Sequence, residues 1–303
     1  MIIWRLLMTV GGTILAGLSD RLGLLGKMVA SIIGLFYILI ISRQLPDLQH
    51  RPRIRLKIFK NAMEKTLIAS LTFDRRFGVL MTIKAVVVDV DGTLTDMEKV
   101  MFTSGIEALR EVQSRGVPVS IASGNVLPVT YGLSTYLGLR GPMVAENGGV
   151  VCYKERIYQL SEGVLPEQAY EHLRTRMPVE RLFTDNWRRT EVALRRTMDV
   201  EKVKAALEGW NITIEVTGFA IHLMDPGHGK VAGVRKVAEN LGIELSEIAS
   251  FGDSDNDAGM LRECGESVAV ANASPAAKSA ARYVSPFPHA AGVIDGLRRL
   301  GLL

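Results

Sequence analysis

Ile83-Lys84-Ala85-Val86-Val87-Val88-Asp89-Val90-Asp91-Gly92-Thr93-Leu94-Thr95-Asp96 is the stretch on which the fold turns. Ile83–Val88 is a short, β-branched apolar run, as a strand buried on both faces of a parallel sheet requires. The run stops at an acid, and a glycine follows where the backbone must leave the strand sharply. Downstream the spacing predicts a helix from Ser104, with Glu107 completing a capping box, Ile106, Leu109 and Val112 on one face and Gly116 past its end. Val117–Ala122 reads as the next strand, 126–137 as helix and 142–145 as a third strand.

The same rhythm returns late in the chain. Lys230–Leu241 reads as helix with Gly242 as its stop, Ile248–Phe251 as strand, Ala258–Glu263 as helix and Ser267–Val270 as strand. Ser274-Pro275 opens one more helix. Strands alternating with helices of about a dozen residues imply an α/β fold with a doubly wound, mostly parallel sheet. Between Val151 and Met224 charged helices (167–176, 200–209) alternate with strand-like runs (190–194, 212–217, 220–224), which marks an inserted α+β domain. The expected organisation is a core of 81–150 and 225–303, a cap of 151–224, and a hydrophobic, helical N-terminal extension of 1–80.

Composition narrows the function classes. At 303 residues and 48% hydrophobic, the chain is ample for a packed core and is neither disordered nor collagenous. Its two cysteines, Cys152 and Cys264, form no CxxC and support no zinc site or disulfide framework. They read as small buried hydrophobes. The net charge of +4 is unevenly spread. Residues 1–80 hold 12 Lys and Arg against 4 Asp and Glu; residues 81–303 hold 24 against 28. The folded body is therefore mildly acidic, and no nucleic-acid partner is expected.

Residues 1–42 are almost uniformly apolar, and the run 22–42 is about the length that crosses a bilayer. Arg43, Arg51, Arg53, Arg55, Lys57 and Lys60 follow it, a flank that would stay with all that succeeds it in the cytoplasm. Three readings stand: a membrane anchor, an apolar helical pair docked on a partner, or a mis-called start whose true position is Met81. The catalytic body is expected in the cytoplasm, tethered to the membrane through 1–42 if the extension is part of the protein.

In open α/β sheets ligands bind beyond the carboxyl ends of the strands. Beyond the first lies Asp89-Val90-Asp91-Gly92, beyond the second Ser123-Gly124-Asn125, and beyond 248–251 lies Gly252-Asp253-Ser254-Asp255-Asn256-Asp257. Lys230 opens the preceding helix, where a cation is electrostatically out of place and so points to function. Asp89, Asp253 and Asp257 offer hard oxygen ligands suited to Mg²⁺, and crowded carboxylates need a cation among them. Asp89 would serve as nucleophile toward phosphorus. Asp91 would protonate the leaving alkoxide and then activate water. Ser123, Gly124 and Lys230 would hold the transferring oxygens. Asp255 reads as a loop residue, Asp96 as a loop former, Asn272 as support for the acidic loop, and His222 as structural. Glu146-Asn147-Gly148-Gly149 reads either as a hairpin turn or as a substrate-facing segment. Arg188 and Arg189 are solvated charges, or Arg188 forks onto a substrate carboxylate.

DVDGTLTD, SGN, Lys230 and GDSDND, in this order, resemble the four motifs of the haloacid dehalogenase superfamily of phosphatases. Ser123–Gly149, Asn186-Trp187-Arg188 and His222-Leu223-Met224 are similar to the archaeal phosphoglycolate phosphatases within it. The resemblance runs from Met81 to the C-terminus. It implies a cap of the C2 type, Asp89 as nucleophile and metal ligand, Asp91 as acid/base binding Mg²⁺ through its carbonyl, Ser123 and Lys230 on phosphate, and Asp253 and Asp257 on the metal. The implied reaction takes 2-phosphoglycolate to glycolate and phosphate. Other small phosphorylated metabolites, sugar phosphates or phosphoglycerate derivatives, remain open, as does an idle membrane-tethered binding module. Ion pumps share the aspartyl-phosphate but carry Lys where Asp91 stands, so Asp91 points to rapid turnover.

Overall fold

The computed structural model describes residues 83–303; the expected hydrophobic extension, and with it any membrane contact of residues 1–42, lies outside them. Among the described residues, no helix is long and apolar enough to cross a membrane.

Two sheets organise the described residues. The larger has eight strands in the order β11-β10-β9-β1-β2-β3-β4-β5. Here β1 is Ala85–Asp89, β2 Val119–Ala122, β3 Met143–Ala145, β4 Val150–Tyr153, β5 Arg156–Gln159, β9 Ile248–Gly252, β10 Glu266–Ala269 and β11 Tyr283–Val284. All pairings from β11 to β3 are parallel; β4 and β5 add antiparallel. The sheet is thus mixed and mostly parallel, as the alternating pattern predicts. The β4–β5 hairpin, which the sequence reading places in the insertion from residue 151, hydrogen-bonds to the large sheet. Tight turns let an antiparallel strand follow its neighbour without a crossover, and a helix-free stretch takes that route.

Strand β1 shows why both faces are covered. Val86 and Val88 point into one apolar cluster with Leu109, Val112, Val293 and Leu297, from helices α1 (Thr103–Ser114) and α8 (His289–Arg299). Ala85 and Val87 point into the other, with Val234, Val237 and Met260 from α5 (Lys230–Leu241) and α6 (Ala258–Glu263). Alternation along a pleated strand sends successive residues to opposite layers. At roughly 1.5–3 kcal/mol per fully buried side chain, these valines anchor the sandwich. Helix α2 (Leu127–Leu137) and the short α7 (Pro275–Ala280) complete the core. The Ser274 side chain caps α7 at the Ala277 N–H, as its Ser-Pro signature predicts. The capping box expected at Ser104 and Glu107 does not form: α1 begins one residue earlier, after Phe102, with no side-chain cap. Its entry is held instead by Gly105 and Ile106 N–H bonds to the Phe102 carbonyl.

The smaller sheet has the order β6-β8-β7, all antiparallel, from β6 (Glu191–Arg195), β7 (Thr213–Val216) and β8 (Ala220–Met224). Val192, Leu194, Ile221, Leu223 and Ile214 pack with Leu173 of α3 (Val164–Arg174) and Val203 of α4 (Val200–Ala206). Period-two alternation therefore puts Glu191, His222 and Glu215 on the opposite face.

Candidate active site

Strand register assembles the acids. Val88 pairs with Phe251 and Asp89 with Ala122. Asp89 therefore ends its strand level with Gly252, and Asp253 and Ser123 emerge one residue beyond on either side. Asp257 is returned to the same rim by the tight turn 255–257, in which its Oδ2 accepts from the Asp253 and Ser254 N–H groups at 3.0 and 2.9 Å. Oxygens of Asp89, Asp253 and Asp257 all lie within 4.8 Å of one another.

Lys230 is the counter-charge. Its ammonium, buried with the acids, bonds to Asp89 and, at 2.7 Å, to Asp257. Burial pulls its pKa down, but Asp257 and Asp89 outweigh that and hold it raised. One cation does not balance three carboxylates. Burial first, and then Asp257 and Asp253, push the Asp89 carboxyl well above the usual range in spite of Lys230. Burial and Asp257 raise Asp253 to about 6. Asp89 Oδ2 is buried without a partner. An orphaned carboxylate oxygen amid surplus negative charge is what a hard divalent cation relieves. The donor set fits Mg²⁺.

The remaining residues of the rim are held by small, local bonds. Thr93 Oγ1 donates to Asp253 Oδ1 at 2.8 Å. Gly92 has φ +86°, and a Cβ there would run into the Asp253 carboxylate, so only glycine lets the loop pass so close. Asn272 donates to the Gly92 carbonyl at 2.9 Å, supporting the loop as expected. Asp96 shapes the following loop by accepting the Glu98 and Val100 N–H groups. Asp255 is exposed and outside the cluster.

Asp91 stands beside the cluster. Its carboxylate accepts from Asn125 Nδ2 at 3.1 Å and lies 3.3 Å from the Lys99 ammonium. That ammonium sits 4.3 Å over the ring of Phe219 in the small sheet's β7–β8 turn. Buried Ser123 accepts from the Asn125 N–H at 3.0 Å. Asn125 and Lys99 are site neighbours that motif reasoning missed; Asn125 was legible as the last letter of SGN, whereas Lys99 carries no motif signal.

Arg188 is not a solvated charge. Its side chain is 1% exposed, paired with Glu191 and, at 3.6 Å, with Asp185. Nη1 also donates to the Gly124 carbonyl at 3.1 Å, joining the small sheet to the core. Burial lowers its pKa. Its Nη2 is buried without a partner, and its Nε makes no hydrogen bond and lies 3.6 Å from the Asp185 carboxylate, which leaves Nη2 as the guanidinium donor open to a ligand. His222 is structural, as expected: wholly buried, it meets Glu191 Oε1 and Thr217 Oγ1, both at 3.1 Å, and burial and Arg188 push its pKa down. Cys152 and Cys264 are free and buried.

This arrangement coincides with a known class. The family of haloacid dehalogenase-like hydrolases matches residues 86–177 and 191–297, and the chain belongs to that family. Its acidic cluster is consistent with a phosphatase active site of that class. Phosphoglycolate phosphatases of Methanothermobacter thermautotrophicus and Methanopyrus kandleri are 37% and 40% identical over 216 and 222 residues, 71% of this chain and 98% and 96% of theirs. A crystal structure of a Thermoplasma acidophilum protein superposes with a TM-score of 0.69 at 30% identity, covering 73% of this chain and all of that one. A sugar phosphatase of subclass IIB shares the fold at 21% identity, with a TM-score of 0.60 over 73% of this chain and 100% of its own.

Proposed function

We propose that the protein is a Mg²⁺-dependent phosphomonoesterase that works through an aspartyl-phosphate and takes 2-phosphoglycolate as substrate. The observation that carries the reading is the Asp89 carboxylate, gathered with Asp253 and Asp257 around one point and flanked by Asp91. Asp89, Asp253 and Asp257, with the Asp91 carbonyl, would hold Mg²⁺. The ion supplies charge neutralisation that lets a phosphate dianion approach a carboxylate.

An Asp89 oxygen attacks phosphorus, the bond to the bridging oxygen breaks, and the Asp91 proton goes to the departing alkoxide. Asp91, now ionised, takes a proton from water as its oxygen attacks the aspartyl-phosphate. The products are phosphate and the regenerated Asp89 carboxylate. Ser123, Gly124 and Lys230 hold the phosphoryl oxygens. The small sheet, with its helices, is a C2-type cap inserted between a core segment that runs through β5 and the core segment 225–303, and covers the site during turnover.

Substrate choice rests on the relatives' names and on Arg188. Its unpartnered Nη2, held dry between cap and core, suits a substrate carboxylate, and Nε could join it by turning from Asp185. Phosphate release is measured across a panel of 2-phosphoglycolate, phosphoglycerates and sugar phosphates with Mg²⁺. The highest kcat/KM is expected for 2-phosphoglycolate, with loss of all release in Asp89→Asn. A sugar phosphate preferred by tenfold or more would overturn the substrate. Activity surviving in Asp89→Asn would overturn the mechanism. Residues 1–42 are proposed as a membrane anchor, tested by fractionating the full chain with N-terminal mass measurement; a mature chain starting at Met81 would refute it.

A further inference from the structure

Glu146 and Asn147 are consecutive non-glycine residues with left-handed backbone, φ 50° and 48°. Side chains with a Cβ disfavour that region, and it persists only where the surroundings fix it. Gly148 and Gly149 follow directly, so glycine was available to the turn. The two side chains kept in strained positions are both buried, Asn147 completely.

Each is tied to another element. Glu146 Oε2 accepts from the Arg189 N–H, the Thr190 N–H and Thr190 Oγ1 at 2.8–2.9 Å, seating the approach to β6 on the core. Asn147 works in two directions. Its Nδ2 donates to Glu191 Oε2 at 3.0 Å, and its Oδ1 accepts from Asn256 Nδ2 at 3.0 Å. The carboxylate only accepts, which fixes the amide's orientation. Glu191 belongs to the cap and is tied there to Arg188 and His222. Asn256 lies between Asp253 and Asp257, and the Ser254 hydroxyl donates to it.

We propose that Asn147 is a positioning residue that couples the seating of the cap to the shape of the Asp253–Asp257 loop, so that the loop is set for a divalent cation only while Glu191 is docked. The inference rests on reading that loop as the metal loop. One buried amide with both ends in use cannot follow one partner without forfeiting the other, and a forfeited bond in dry surroundings is costly. Displacing Glu191 therefore loosens Asn256, and loosening Asn256 frees the turn that presents Asp257.

The test uses the full chain. Mg²⁺ affinity is measured by titration calorimetry without substrate, alongside hydrolysis of p-nitrophenyl phosphate. Asn147→Gly suits the left-handed backbone and removes only the amide; its Mg²⁺ Kd is expected to rise at least fivefold. Glu191→Ala changes no acid of the cluster, yet its Mg²⁺ Kd is expected to rise at least threefold. The double variant is expected to bind no more weakly than Asn147→Gly alone. Parent-like affinity in either single variant, or losses that multiply in the double, overturns the proposal. Should Asn147→Gly not fold, Asn147→Asp keeps the volume but sets a carboxylate against Glu191, and the same fivefold threshold applies. Coupled Mg²⁺ losses in a parent that cleaves no phosphoester would sink the phosphatase reading and leave this one standing. A cleaving parent whose variants bind Mg²⁺ normally would sink this one alone. A parent that binds no Mg²⁺ overturns both.

Discussion

Lys230 is the buried counter-charge of the acid cluster, and replacing it by methionine isolates what it does. Methionine fills much of the same volume, so packing changes little. The charge change is large. Asp89 and Asp257 lose the ammonium that bonds to both, while all three groups are buried. Removing one partner of a buried ion pair costs about 3–5 kcal/mol, because an uncompensated charge stays behind. With a urea slope of about 3 kcal/mol/M, the unfolding midpoint should fall by roughly 1–1.7 M in metal-free buffer at pH 8. Burial already holds the Asp89 carboxyl above the ordinary range, and losing Lys230 raises it further. An acid whose folded pKa exceeds its unfolded one favours the folded state at low pH and penalises it as pH rises through that interval. The deficit should therefore be smaller at pH 5 than at pH 8, because Asp89 is the more protonated there. Millimolar Mg²⁺ should restore most of it at pH 8. Urea unfolding of parent and Lys230→Met at both pH values, with and without Mg²⁺, reads all of this. An equal midpoint loss under all four conditions would show that the cost is packing, and the electrostatic reasoning would be refuted.

Further outcomes follow from the same site. With Asp253 raised to about 6 by burial and Asp257, the metal-free parent should lose up to about 3 kcal/mol from this group as pH climbs from 4 to 7; differential scanning calorimetry should show Mg²⁺ flattening that slope. Gly92→Ala forces a Cβ toward the Asp253 carboxylate at a positive φ, so kcat should drop at least tenfold and Mg²⁺ half-saturation should rise; an unchanged metal requirement would contradict the geometry. Asp89→Asn removes a negative charge from the crowded cluster, so its melting temperature without metal should equal or exceed the parent's even as phosphate release vanishes. Arg188→Ala should raise KM for 2-phosphoglycolate far more than for p-nitrophenyl phosphate, and equal effects in steady-state kinetics would remove Arg188 from substrate recognition.

Much of the core was legible because its signals are local. The helix 230–241 and its stop at Gly242 match the structure, where Gly242 has φ 66°. Strand ends were read within two residues, since an apolar run stops where the acids of the rim begin. The capping box at Ser104 failed because the chain's entry from the Thr95–Met101 bridge sets the helix start first. The boundary drawn at 151 put the hairpin β4–β5 with the insertion, whereas β4 pairs with β3 of the large sheet, because a short strand carries no local signal of which sheet it will join. Arg188 shows the other limit. Two adjacent arginines look solvent-facing in one dimension; only the antiparallel pairing of β6 and β8 reveals Glu191 and His222 waiting beside one of them. Asn147 was hidden for the same reason, since its partners lie 44 and 109 positions away.

The placement of β9 next to β1 has a consequence for biosynthesis. The valines of β1 leave the ribosome early, but the neighbour that covers one of their edges is encoded about 160 residues later. Until that segment emerges, an apolar strand presents unpaired backbone groups, a template for wrong partners. The nascent polypeptide cannot close its central sheet during most of translation. Chaperone dependence in the cell, and a slow, concentration-sensitive refolding phase in vitro, are the expected signatures of that late arrival.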